Sequence, residues 1–350
     1  MTDKQPYLCI DVIQLILDFA DIGTQLKLTS LSKECHDRLK IRQIVGIKIT
    51  QDIIQQKNFN ELQKLDASYN PKITDVNHLR NTLVELYCEA DCGIDQKGIS
   101  QLLKLKKLYA YNNSKITDVN HLRNTLLELH CQWHCGIDQK GISELLKLKK
   151  LNANANPKIT NVNHLRNTLL ELYCYRNCGI NQKGISELLK LEKLYAYDNP
   201  KITDVNHLRN TLVELGCYGW NEINQKGISE LLKLQMLNAS GNSKITDVNH
   251  LRNTLSELNC EGNCGIDQKG ISELLKLRKL DASGNSKITV VNHLRNTLSE
   301  LKCEGNCGID QKGISELLKL QKLDAYGNSK LQMYLRNIHL VELHIVKKIV

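Results

Sequence analysis

The sequence predicts an α/β solenoid in which short parallel strands alternate with short helical returns. Three observations lead there. The tract HLRNT begins at His78, His121, His164, His207, His250 and His293, each 43 residues after the last. Strict self-similarity at such a period marks a stacked repeat. Each 43-residue unit is itself double: Leu105-x-x-Leu108-x-Ala110-x-x-Asn113 opens a 21-residue half, and Leu126-x-x-Leu129-x-Cys131 opens a 22-residue half. Only 5% of the 350 residues are aromatic, so the core must come from Leu, Ile, Val, Ala and Cys. Such a chain suits turns that bury one apolar edge against their neighbours alone.

Both halves resemble the leucine-rich repeat, L-x-x-L-x-L-x-x-N/C. The first half starts at Leu62, Leu105, Leu148, Leu191, Leu234, Leu277 and Leu320, and the second at Leu83, Leu126, Leu169, Leu212, Leu255 and Leu298. The resemblance implies a curved horseshoe with its parallel strands on the concave face and its helices on the convex one. In the 21-residue return, Thr117 or Asp118 caps a short helix, and Ile116, Val119 and Leu122 form its buried face at three-residue spacing. In the longer return Asp138 is the cap, with Ile137, Ile142, Leu145 and Leu146 inward. These returns, N-x-x-I-T-D-V-x-x-L and C-x-I-D-x-x-G-I-x-x-L, resemble the cysteine-containing class of the repeat. Residues 62–319 then form the solenoid, and 320–350 its last repeat and cap, where Leu335, Asn337 and Leu343 keep traces of the pattern. Lys347 and Lys348 suit an exposed final edge.

Asn70, Asn113, Asn156, Asn199, Asn242, Asn285 and Asn328 hold one register, which predicts a ladder of buried amides bonded to the backbone of their own and adjacent turns. Thirteen cysteines read mostly as core. Cys88, Cys131, Cys174, Cys217, Cys260 and Cys303 take the third apolar strand position, and Cys92, Cys135, Cys178, Cys264 and Cys307 follow four residues later. Free Cys packs as a small apolar residue, and a C-x3-C spacing lacks the partner pair of a zinc site. Equivalent cysteines or histidines recur two turns apart, roughly 10 Å at the usual strand spacing, so they cannot share a metal. The six histidines are placed on the outer edge, and no metal or cofactor is expected.

The charge of +9 comes from copying a modestly basic unit, with lysines such as Lys115, Lys140 and Lys147 recurring. No dense basic run with interleaved aromatics points to nucleic acid. No stretch of about 18 apolar residues is present to span a membrane, and MTDKQPYLCIDV lacks a signal-peptide core. Free thiols fit a reduced intracellular, cytoplasmic compartment.

Residues 1–40 lie outside the repeat. Asp11 is a plausible cap for a helix carrying Val12, Leu15, Ile16 and Phe19 on one face. After a break at Asp21-Ile22-Gly23 comes a second amphipathic segment with Leu26, Leu28 and Leu31. Forty residues bury little core alone, so they dock on the solenoid, on a partner, or on both. Leu8, Asp11-Val12, Ile16-Leu17, Phe19-Ala20, Leu26 and Leu31-Ser32-Lys33 resemble the F-box, with Cys9 where that family usually has proline and Cys35 where a tryptophan often follows. The plain alternative is a helical cap over the first repeat. Residues 41–61, alternating at Val45, Ile47 and Ile49, read as an edge strand and amino-terminal cap.

What varies between copies shows where specificity lies. Residues between the core positions of each strand face the concave side, and there the middle turns carry Tyr109, Tyr111, His130, Trp133, Tyr173, Tyr175, Arg176, Tyr195, Tyr197, Tyr218 and Trp220. An aromatic strip with an arginine has the composition of a protein-binding hot spot. Stacking between neighbouring tyrosines is the competing explanation. No phosphate loop, nucleophile elbow or metalloprotease motif appears, and a His-Arg-Asn tract repeated six times is not a singular active site, so the chain is read as no enzyme. The F-box resemblance implies the substrate-recognition subunit of an SCF-type ubiquitin ligase. Leu8, Asp11, Val12, Ile16, Leu17, Phe19, Leu26 and Leu31 would bind a Skp1-like adaptor, and the aromatic strip an unknown protein target, with the chain a monomer within the complex. The alternative is a binding scaffold without ubiquitin chemistry. The near-verbatim repeats and the Ile, Asn and Lys bias resemble proteins of large DNA viruses of amoebae, which implies a host-directed role.

Overall fold

The computed structural model describes residues 9–44 and 49–331. The chain packs as two compact units, Met1–Ile159 and Thr160–Val350, and both are leucine-rich-repeat solenoids of the predicted α/β class. The tract after Leu331, the residue Leu8, and Val45 and Ile47 of the expected edge strand lie outside the described residues.

The first unit opens with helices α1 (Ile10–Phe19), α2 (Ile22–Ser30) and α3 (Lys33–Arg38). Asp21 caps α2 by accepting from the Thr24 amide at 3.0 Å, and Ser32 caps α3 through the Cys35 amide at 3.1 Å. Asp11 sits in the first turn of α1 rather than at its cap, which is Cys9. There its charge still complements the helix dipole. Strands β1 (Gln43–Ile44), β2 (Lys64–Asp66), β3 (Glu85–Tyr87), β4 (Lys107–Tyr109), β5 (Glu128–His130) and β6 (Lys150–Asn152) pair in parallel and in sequence order. The second unit repeats this with β7 (Glu171–Tyr173), β8 (Lys193–Tyr195), β9 (Glu214–Gly216), β10 (Met236–Asn238), β11 (Glu257–Asn259), β12 (Lys279–Asp281), β13 (Glu300–Lys302) and β14 (Lys322–Asp324).

The register places a leucine opposite a leucine at nearly every rung, as Leu86 opposite Leu108 and Leu258 opposite Leu280. With Ala110, Cys131, Ile116, Val119, Leu122 and their equivalents they make a continuous apolar interior in each unit. The asparagine ladder forms as expected. The Asn285 amide donates to the carbonyls of Cys260 at 2.9 Å and Ile266 at 3.0 Å, while its oxygen accepts from Lys287 N at 3.0 Å. Cysteines line the interior as free thiols, and Cys88 Sγ donates to the Tyr109 carbonyl at 3.5 Å.

The returns are shorter than a regular helix. The 21-residue halves hold a single 3-10 turn such as Asn120–Leu122, opened by the Asp118 side chain accepting from Asn120 N at 2.7 Å. The longer halves hold Lys140–Ile142 or its four-residue equivalent Gln96–Ile99, and Asp138 caps through Gly141 N at 2.9 Å. One expectation fails here: Leu145 is buried, but Leu146 is exposed, and so are its copies Leu103, Leu189, Leu232, Leu275 and Leu318. A single turn has room for one leucine of the pair to reach the core, and the next points about 100° away. The histidines are not simply an outer edge either. His121 is half-buried, with Nε2 3.0 Å from the Ile99 carbonyl.

Candidate protein-binding site

Most strands, β5 and β7 among them, bury the central leucine and leave the first and third residues half-buried on the other side of the sheet. Two further positions follow the buried Ala or Cys, most of them open to solvent. The second of these has a left-handed backbone in every turn from Tyr69 onward: φ is 57° at Tyr69, 58° at Trp133, 59° at Arg176 and 48° at Asp198, and glycine takes over from Gly219 to Gly327. A non-glycine residue there costs roughly 1–2 kcal/mol, so glycine is the undemanding choice. Side chains as large as Trp133 and Arg176 stand at this position against that cost.

In the first unit the Tyr87 and Tyr109 rings stack at 4.1 Å with 6° between their planes, and His130 stacks on Tyr109 at 4.4 Å. Tyr111 is half-buried one position further along, and Trp133 stands exposed at the strand exit. Beneath the rings runs a ladder of alternating charge. Glu85 lies 2.8 Å from Lys64 and 3.7 Å from Lys107, and Glu128 lies 3.8 Å from Lys107 and 3.4 Å from Lys150. The Tyr87 hydroxyl donates to Glu85 at 2.6 Å, and burial followed by this bond pushes the phenol up to about 12. Burial alone would raise the Glu85 carboxyl, but hydrogen bonds from Lys64 and Tyr87 hold it below the ordinary range.

In the second unit Tyr173 stacks on Tyr195 at 4.4 Å, Tyr175 tilts against Tyr197 at 5.2 Å, and Tyr197 stacks on Tyr218 at 3.9 Å. Tyr195 and Tyr197 meet edge to face at 5.8 Å. The Arg176 guanidinium lies 6.0 Å from the Tyr175 ring centre. Trp220 is 88% exposed. Stacking and exposure are thus both present: the tyrosines brace one another, and Trp133, Arg176, Tyr218 and Trp220 are the parts left outward. Tyr87, which extends the first stack by one rung, was absent from the strip read in the sequence. The Lys–Glu ladder was legible there as alternating KL and EL dipeptides.

The residues expected to bind an adaptor divide by helical phase. Val12, Leu15, Ile16 and Phe19 share an outward face of α1, with Leu15 61% and Phe19 91% exposed, and Leu31 is exposed at the end of α2. Asp11 is exposed and Leu26 half-buried. Leu17 is a correction: it is fully buried, because it lies on the opposite side of α1 from that face. That buried side fixes the helix. Gln25 donates to the Leu17 carbonyl at 3.0 Å, Gln14 to the Lys40 carbonyl at 2.9 Å, and Arg42 to Asp18 at 2.8 Å. Among the described residues no helix is long and apolar enough to cross a membrane, and no group of three or more His, Cys, Asp or Glu is placed to hold a metal.

The fold is similar to known repeat proteins. An internalin (InlF) from Listeria monocytogenes aligns over 90% of this chain and 94% of its own at 22% identity, with a TM-score of 0.60. Rad7, from a complex with Elc1 in yeast, aligns over 97% and 93% at 18% identity and 0.50. TLR13, from a complex with ssRNA13, aligns over 91% of this chain and 63% of its own at 18% identity and 0.52. These likenesses establish a leucine-rich-repeat architecture. No protein-family model and no curated protein sequence matches the chain.

Proposed function

We propose that this chain is a substrate-recognition subunit of an SCF-type ubiquitin ligase, with α1 engaging a Skp1-like adaptor and the strand-face aromatics holding a protein target. The observation that carries the reading is the outward apolar face of α1. A helix serving only as a lid over the first repeat would turn its apolar side inward, whereas Val12, Leu15, Ile16 and Phe19 face water together. An apolar helix face left open in a folded chain is the form in which a partner surface is presented. The 1–40 segment is then the adaptor module and the repeats the target module. The Rad7 structure, of a complex with Elc1, agrees with a partnered repeat chain. The strand face alternates lysine with glutamate instead of presenting the basic stripe that tracks a phosphate backbone, so protein is the better target than RNA, although TLR13 was solved with ssRNA13. Free thiols throughout suit a reducing cytoplasm.

The test is co-purification with a Skp1-family adaptor. The intact chain should retain it, and the double substitution Leu15→Asp and Phe19→Asp should release it with the circular dichroism spectrum unchanged. No retention by the intact chain, under conditions in which known F-box proteins bind, sinks the ligase reading. It leaves a binding scaffold whose target still depends on Trp133 and Tyr175.

A further inference from the structure

We infer that the turns carrying β9 and β10 form the specificity subsite of the strand face and receive a lysine or arginine side chain of the partner, seated over Met236 between Glu214 and Glu257. This rests on the reading that the strand face holds a protein target. From β2 to β14 the first strand residue is Lys or Glu in strict alternation, except at Met236. Elsewhere in each unit the pattern supplies a carboxylate with lysines on both sides, as Lys64 and Lys107 flank Glu85. Met236 is paired in register with Glu214 on one side and Glu257 on the other. Among the described residues Glu214 has one lysine, Lys193 at 3.2 Å, beside the Tyr195 hydroxyl that donates to it, and Glu257 has one, Lys279 at 3.0 Å. One cation is missing from a ladder that holds one at every other such rung. A partner's ammonium or guanidinium above Met236 would sit one strand spacing, roughly 4.8 Å, from each carboxylate. The methionine offers an apolar floor for the alkyl stem of such a side chain.

The surroundings of this gap are also rewritten, in a chain whose copies are otherwise close to verbatim. Gly216 is the one glycine at a third strand position, and a Cβ there would collide with the Tyr197 ring and crowd Tyr195. Its absence lets both rings lean over β9, the strand beside Met236. Five residues on, Asn221-Glu222 replaces the Cys-Gly pair of the other copies. A Cβ at that glycine meets two backbone carbonyls at Gly93, Gly136, Gly265 and Gly308, those of Ile245 and Ser243 in the case of Gly265. Glu222 therefore demands another path for the loop, which is held by Trp220 N donating to Asp198 Oδ1 at 2.8 Å and Asn221 N to the Gly219 carbonyl at 2.9 Å. On that path Trp220 stands outward. Deviations that cluster at one place in an otherwise copied sequence mark a singular site, and its open charge is negative.

The chain contains three methionines, so methyl-labelled methionine gives a sparse spectrum in which Met236 is assigned by its loss in Met236→Leu. Titration with N-acetyl-arginine methylamide should move the Met236 methyl signal. N-acetyl-norleucine methylamide should not, and Glu257→Gln or 0.5 M salt should weaken the effect by at least about fivefold, as a partly exposed charge pair requires. No movement, or equal movement with the norleucine probe, overturns the subsite. As a second arm, Met236→Lys restores the residue of the other copies. It should leave Tm unchanged or higher while lowering affinity for a captured target by about tenfold or more, the loss of one charged contact; an unchanged affinity overturns the proposal. If arginine binds at Met236 but Tyr175→Ala and Trp220→Ala leave target capture intact, the reading of the whole face fails while the subsite stands.

Discussion

The amide of Asn113 donates at 2.8 Å to the carbonyl of Cys88, 25 residues earlier in the chain. The same nitrogen reaches the Ile94 carbonyl at 3.2 Å, and the side-chain oxygen accepts from Lys115 N at 3.0 Å. One buried amide thus closes three backbone groups that have no regular strand or helix to satisfy them. Removing it leaves those groups buried and unpaired, at about 1–3 kcal/mol for each that finds no water. Asn285→Ala should lower unfolding free energy by about 2–3 kcal/mol in urea titration. Asn285→Asp should cost at least as much, since a carboxylate cannot donate to the Cys260 and Ile266 carbonyls.

The left-handed position gives the opposite sign. Ala90 and Ala155 hold φ of 53° and 52°, where alanine is strained and glycine is not. Ala155→Gly should raise stability by about 1 kcal/mol, the strain relieved less the extra freedom glycine gains when unfolded. Gly262→Ala should lower it by a similar amount, although a Cβ there meets nothing. A thermal melt of each variant decides it. Equal melting temperatures would show that backbone strain is not the governing term.

Twelve of the thirteen thiols are buried, and Cys9 alone is exposed. Burial pushes Cys92, Cys135 and Cys178 up to about 11, which removes the reactive thiolate at neutral pH. Iodoacetamide should label one cysteine in the native chain and thirteen in denaturant. Rapid labelling of Cys135 or Cys178 without denaturant would contradict the packing of the turns.

Stability should fall on mild acidification. Burial holds His121, His207, His250 and His293 below the ordinary value of 6.5, against the opposing pull of the carbonyls they bond. The unfolded chain therefore takes up protons first as pH drops through 6.5, and the folded chain loses ground until its own lower values are passed. Above pH 6.5 this contribution is complete. Chemical denaturation at pH 7.5 and 5.5 should show the decline, and joint replacement of His121, His207 and His250 by Gln should flatten it.

The interior was legible in the sequence because a leucine at fixed spacing admits one solution: Leu105, Leu108 and Ala110 recur with a strand's geometry and must turn inward. Asn113 was legible for the same reason. The Leu145-Leu146 pair was not, since both fit an inward helical face until the return proves to be a single turn. Strand alternation predicts Tyr109 and Tyr175 on the open face, but their contacts depend on which rungs are neighbours and how far each ring leans. Gly216 controls that lean and has no side chain to announce it. On α1 the sequence displays the apolar face of Val12, Ile16 and Phe19 without saying which way it points. The direction is set elsewhere, by Asp18 bonding to Arg42 and Gln14 to Lys40. The left-handed column was hidden because Tyr69, Trp133 and Arg176 are not residues that signal such a backbone.

That column makes the two units different raw material for engineering. From Gly219 to Gly327 every turn ends in a glycine whose only office is to bend the chain, and Gly262 and Gly305 have open space where a side chain would grow. Grafting tryptophan or arginine onto those two sites, two turns apart, would extend the proposed binding surface with the leucine interior untouched. On the proposed reading of the strand face the second unit has sites to spare, and its tolerance for added side chains is set by how many strained turns its remaining stability can support.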